Sequence, residues 1–129
     1  MIAPAVGDTL FAASGPTDHL HFIILGPARF ESLPPPPHFL LVNMTSITPG
    51  IPYDPACELN VGDHRFVRQP SYIFYRRARF ETVDHVERML NTGAWRLDQR
   101  VTPELLARIQ KGLQESKQAP RYFKHILPR

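Results

Sequence analysis

The sequence predicts an α+β domain, a run of short strands followed by two helices. Up to residue 80, short apolar runs alternate with clusters rich in Gly, Pro, Asn and Asp, the punctuation of an antiparallel sheet. Beyond residue 82 the apolar residues recur at helical spacing, and a threonine able to cap precedes each stretch. With 129 residues, 43% of them apolar and 21% charged, the chain can build one core but not two. The whole of 1–129 is therefore read as a single domain.

Gly7-Asp8 opens a first strand, Thr9 to Ala13, and the turn chemistry of Ser14 to Asp18 joins it to a second, His19 to Leu25, as a hairpin. On that second strand His19, His21 and Ile23 share a face, and Gly26-Pro27 is expected to end it. Pro34 to Pro37 can be neither helix nor central strand, so the run is a polyproline spacer on the surface. His38 to Met44 is the most apolar strand and should be central, with Thr45 and Ser46 at its end.

A loop rich in Pro and Gly follows, then one or two short strands within 57–68 about a Gly62-Asp63 turn. Residues 71–80 read as the longest strand, with Tyr72, Phe74, Ala78 and Phe80 facing the core and Ile73, Tyr75, Arg77 and Arg79 facing outward. Thr82 caps a first helix bearing Val83, Val86, Met89 and Leu90, which Gly93 terminates. Thr102 and Pro103 start a second, with the stripe Leu105, Leu106, Ile109 and Leu113. These elements compose a small, strongly bent antiparallel sheet or an SH3-like barrel over about 7–80. The helices occupy about 82–116, and 117–129 form a basic tail, either docked or mobile.

Charge is divided along the chain. Residues 1–64 hold one base, Arg29, against six acids, a net of −5, while 65–129 hold fourteen bases against six acids, a net of +8. Gathered on one face, the positive half would steer a phosphate polymer or an acidic protein segment. The single cysteine, Cys57, forbids an internal disulfide and fits a reducing cytoplasm. The N-terminus lacks the basic segment and apolar run of a signal peptide, and no apolar run could span a bilayer, so no membrane association is expected.

Chemistry concentrates between Cys57 and Glu81, which hold a cysteine, an Asp-His pair, two tyrosines and five arginines. The strand order and three features resemble the MazF/PemK family of growth-inhibitor toxins. These are Gly7-Asp8 before a strand, a third strand ending Met44-Thr45-Ser46, and a late strand running into arginines. The resemblance implies an SH3-like barrel that dimerises, cleaves single-stranded RNA without a metal, and is opposed by an antitoxin protein. It places Thr45, with Ser46, in the family's catalytic threonine region. The sequence departs from the pattern before the second strand, where Asp18-His19-Leu20-His21 replaces an arginine, and in the late strand, which lacks the family's glutamine.

Attack by a ribose 2′-hydroxyl needs a proton acceptor, an acid for the leaving oxygen and a cation at the phosphorane. His64 can serve as the base if Asp63 orients it, Arg65, Arg76 and Arg77 can clamp phosphate, and Thr45 or Ser46 can position substrate. Tyr75, with Tyr72, can stack bases, and His19 and His21 can meet phosphate. Each residue also has a purely structural explanation: Asp63 as a turn residue, His64 as a core imidazole, the tyrosines as packing, and Cys57 as a small buried hydrophobe. His19, His21, Cys57 and His64 have ligand chemistry but no diagnostic spacing, so neither metal nor cofactor is expected. The expected function is that of an RNA-binding toxin resembling MazF/PemK and directed at single-stranded RNA, with metal-independent endoribonuclease activity as what the resemblance implies. The alternative is a non-catalytic module that binds nucleic acid or an acidic protein segment.

Overall fold

A computed structural model describes residues 1–14, 17–31, 33–121 and 123. Seven strands form an antiparallel sheet: β1 (Thr9–Ser14), β2 (Thr17–Ala28), β3 (His38–Ser46), β4 (Glu58–Leu59), β5 (Ser71–Ile73), β6 (Arg79–Thr82) and β7 (Arg96–Leu97). Two helices complete it, α1 (Val83–Asn91) and α2 (Pro103–Glu115). The strands lie in the order β4-β5-β3-β2-β1-β7, with β6 also on β3. Among the described residues no ladder joins β4 to β7, so the sheet is open.

β3 is central because it is apolar on both sides. Leu40 and Val42 join the core under α2, with Leu105, Ile109 and Leu113, while Phe39 and Leu41 join Val86 and Leu90 of α1 on the opposite face. A strand covered on both faces has no reason to alternate, which explains its unbroken apolar run. Its first half pairs with β6 (Leu40↔Phe80) and its last three residues with β5 (Thr45↔Tyr72). β2 runs past Gly26-Pro27, the point at which the sequence predicts its end, with register shifts on either side of Leu25. Gly26 is required there, since it has φ +102° and an added Cβ would lie 2.5 Å from the His38 carbonyl oxygen.

The expected hairpin of β1 and β2 forms, pairing Thr9 with Phe22 through Ser14 with Thr17, though the middle of its turn lies outside the described residues. Pro34 to Pro37 are exposed and outside any regular element. Both helices start at the predicted caps, the Thr82 hydroxyl accepting from the His85 amide and the Thr102 hydroxyl from the Leu105 amide. Of the tail, Ala119 and Phe123 are buried in the α2 core, and 122 and 124–129 lie outside the described residues.

The largest correction concerns 71–80, which is not one strand. A 3₁₀ turn at Tyr75–Arg77 separates β5 from β6 and destroys the two-residue period on which the face assignment rested. Ile73 and Tyr75 are fully buried, whereas Tyr72 and Phe74 are only half-buried. The Tyr75 hydroxyl donates to the Ile109 carbonyl of α2 at 2.6 Å, so this residue anchors a helix and has no face for a base. Among the described residues no helix is long and apolar enough to cross a membrane.

Candidate functional site

The end of β3 that carries Thr45 and Ser46 borders a cleft of about 560 Å³, closed on its other sides by the start of β2, by Phe11 of β1 and by the loop from Phe66 to Gln69. Strand alternation turns Phe11, Leu20, Met44 and Ser46 toward the α2 side, where this cleft opens. Phe11 and Phe66 meet edge to face with centroids 4.6 Å apart. The Arg96 guanidinium lies 5.3 Å over Phe11 and that of Arg65 5.4 Å over Phe66, a geometry in which the ring quadrupole attracts the cation. Arg68 lines the cleft beside these rings, and His19, Thr45, Ser46, Thr48, Gln69 and Ser71 supply polar groups, with Asp18 the one acid among the described lining residues. Arg68 and Arg96 are exposed and have no carboxylate within ion-pair reach among the described residues.

His64 stands behind this wall and is 2% exposed. Its Nδ1 accepts from the Phe66 amide at 3.1 Å, which leaves the ring proton on Nε2, directed at the Gln99 carbonyl 2.9 Å away. The Thr9 hydroxyl donates to the same carbonyl at 2.7 Å. Burial, first of all, holds the imidazole below its ordinary pKa against the opposing pull of the Gln99 carbonyl and Asp98. With both nitrogens engaged and solvent excluded, His64 fixes the position of Phe66 and has no free lone pair for a substrate proton.

The expected Asp63–His64 pair does not form. Asp63 accepts from the Asn60 amide at 2.8 Å and meets Arg108 of α2 at 3.2 Å, and the carboxylate near His64 belongs to Asp98, 3.6 Å from Nε2. Asp98 also takes two hydrogen bonds from Arg65, at 2.9 and 2.6 Å. Burial works against its charge, yet the Arg65 bonds and the Gln99 amide keep its carboxyl below the usual range. The phosphate clamp expected of Arg65 is thus already taken by a carboxylate. Arg76 and Arg77 are exposed away from the cleft, Arg77 lying 5.8 Å over Phe74.

Strand alternation sets the other predicted residues in a row on the opposite side of the strands, although His19 and Thr45 also reach the lining of the cleft. Ala12 pairs with His19, Thr45 with Tyr72 and Tyr72 with Glu58. Continuing the His21↔Asn43 register by two residues sets His19 beside Thr45, so one row runs across β1, β2, β3, β5 and β4. Thr45 and Ser46, adjacent in sequence, therefore face opposite ways. The His19 Nδ1 is buried without a hydrogen-bond partner. His21 is 2% exposed and donates from Nδ1 to the His19 carbonyl at 2.9 Å. Burial, above the other influences on it, pushes its pKa down to about 4, so it is neutral packing at physiological pH.

Cys57 is buried, and burial raises its thiol pKa, which suits packing and not nucleophilic attack. Among the described residues no three of His, Cys, Asp and Glu gather closely enough to share a metal ion. Sequence reasoning missed Phe11, Phe66, Arg68 and Arg96. Alternation within β1 was signal enough to separate Phe11 from Leu10 and Ala12, but nothing in the segment after α1 marked Arg96 as a partner of β1. No protein-family model matches the chain, and no curated protein matches it either.

Proposed function

We propose that the protein binds single-stranded nucleic acid, RNA in the first instance, in the cleft walled by Phe11 and Phe66. One observation carries this reading: two touching aromatic rings, each overlaid by a guanidinium, beside the exposed Arg68. Unpaired bases stack on aromatic rings and on guanidinium planes alike, and cations along the groove track the phosphates. The excess of base over acid in residues 65–129 supplies a field of the right sign. An acidic protein segment would use the cations but leave the rings without a purpose.

Fluorescence anisotropy of a labelled oligouridylate tests the reading. The wild type is expected to bind at low salt, and the double variant Arg68→Gln with Arg96→Gln to bind about tenfold or more weakly. An acidic peptide that binds while single strands do not would overturn it.

A second reading, RNA cleavage of the MazF/PemK kind by the toxin of a toxin-antitoxin pair on an SH3-like barrel, draws support from His19 and Thr45 at the edge of the cleft. Continuing the register of β2 and β3 sets His19 beside Thr45, where the resemblance expects a phosphate-binding residue and the catalytic threonine, and both residues line the cleft. In this reading His19, not His64, receives the 2′-hydroxyl proton. End-labelled RNA incubated with and without EDTA decides: cleavage in both lanes that His19→Ala abolishes supports it, and intact RNA in both lanes removes it.

A further inference from the structure

The face of the sheet turned away from the cleft carries an aromatic row that the cleft reading does not use. Tyr53 and Tyr72 lie with centroids 5.1 Å apart, Tyr72 and Phe74 follow at 6.0 Å, and Arg77 closes the row 5.8 Å over Phe74. All three rings are half-buried, so each keeps part of its surface in water. They occupy the β4–β5 edge of the sheet, with no strand beyond β4 among the described residues. Packing accounts poorly for the arrangement, because Tyr53, Tyr72 and Phe74 belong to neither buried core.

We propose that this row is a second stacking surface for the same single strand that occupies the cleft, an inference that rests on the cleft reading. Continuity supports it. Ser46 and Ser71, a register pair, line the cleft, and in the next pair along the same two strands Thr45 still lines the cleft while Tyr72 belongs to the row. A strand leaving the cleft thus crosses the end of β3 and meets the rings within one residue step of backbone. Charge gives the row a direction. Arg76 and Arg77 are exposed at the Phe74 end and have no ion-pair partner among the described residues. At the other end Tyr53 donates to the Glu58 carboxylate at 3.2 Å. Phosphates are accordingly drawn to the Arg77 end, and the Tyr53 end receives bases but repels backbone. Glu58 also makes the row a poor seat for an acidic peptide along its whole length.

The test compares a short oligouridylate of about four nucleotides with one of about twelve, spanning the range that single-strand grooves cover. Tyr53→Ala and Arg77→Gln alter side chains outside the two cores, and an unchanged thermal melt confirms the fold in each. In the wild type the longer strand is expected to bind about tenfold or more tightly than the short one. In the row variants that advantage is expected to disappear while the short strand binds as before. Equal length dependence in wild type and variants overturns the proposal and leaves the cleft reading standing. Loss of the length advantage in the row variants, with no effect of Arg68→Gln and Arg96→Gln on either strand, overturns the cleft reading and with it the proposal that one strand joins cleft and row. Wild type that binds neither strand overturns both.

Discussion

At the scale of single residues, the histidines show how burial decides between chemistry and structure. His21 and His64 are each 2% exposed, and both are held below the ordinary imidazole pKa. An unfolded histidine takes a proton near pH 6.5. Folded His21 refuses it until about pH 4. Between those values unfolding takes up a proton, so stability falls as pH falls, and the loss is complete below the folded pKa. At about 1.4 kcal/mol per pKa unit the His21 contribution amounts to roughly 3 kcal/mol. Urea midpoints followed from about pH 7 down to about pH 4 should decline steadily, and His21→Leu should flatten the decline without abolishing it, because His64 titrates in the same sense. His64→Ala leaves the Phe66 amide without its acceptor and the Gln99 carbonyl with one donor fewer. A loss of about 1–3 kcal/mol is expected in urea unfolding, together with weaker binding of short strands, since Phe66 loses its support.

At the scale of elements, α2 shows how closely the helix approaches the sheet. A Cβ added to Gly112 would lie 2.2 Å from the Tyr75 hydroxyl and 3.0 Å from the Cys57 Cβ. Intrinsic propensity favours alanine over glycine within a helix by about 1 kcal/mol. The steric penalty here outweighs it, so Gly112→Ala should destabilise by about 1–3 kcal/mol, measured as a lowered urea midpoint. Combining it with Tyr75→Phe removes the nearest atom and should recover part of the loss, a coupling that two independent sites would not show.

Elements of this kind also mark how far the sequence could be read. β1, β3 and both helices were legible because their signals are local: alternation, an unbroken apolar run, and threonine caps. The 71–80 stretch was not, because its apolar residues fit a strand pattern while tertiary packing of Tyr75 against α2 rotates the backbone through a 3₁₀ turn. β7 is two residues long and owes its form to pairing with Leu10 and Phe11, which no local pattern announces. Of the candidate site, Thr45 and Ser46 were read at the end of the third strand and His19 at the start of the second, as the strands β3 and β2 have them. Their division between two faces follows from alternation across β2 and β3, which requires the register.

At the scale of the whole molecule, the charge division read along the chain is rearranged by the fold. Arg65, Arg79, Arg100 and Arg108 are spent on Asp98, Glu81, Asp8 and Asp63, and two of those four carboxylates, Asp8 and Asp63, come from the acidic residues 1–64. The cations of residues 65–129 that are left without an ion pair among the described residues include Arg68 and Arg96 at the cleft and Arg76 and Arg77 at the aromatic row. That count fixes an expectation for salt. Each phosphate neutralised on a single strand adds about −0.7 to the slope of log affinity against log salt. A short strand held by Arg68 and Arg96 alone should show a slope of about −1.4, and Arg96→Gln should bring it to about −0.7. A longer strand that also engages Arg76 and Arg77 should approach about −2.8. Anisotropy titrations at a series of salt concentrations measure these slopes directly. A short-strand slope much steeper than this would mean that the paired arginines, Arg65 foremost, release their carboxylates to meet the strand, and Asp98→Asn would then raise affinity where an intact ion pair leaves it unchanged.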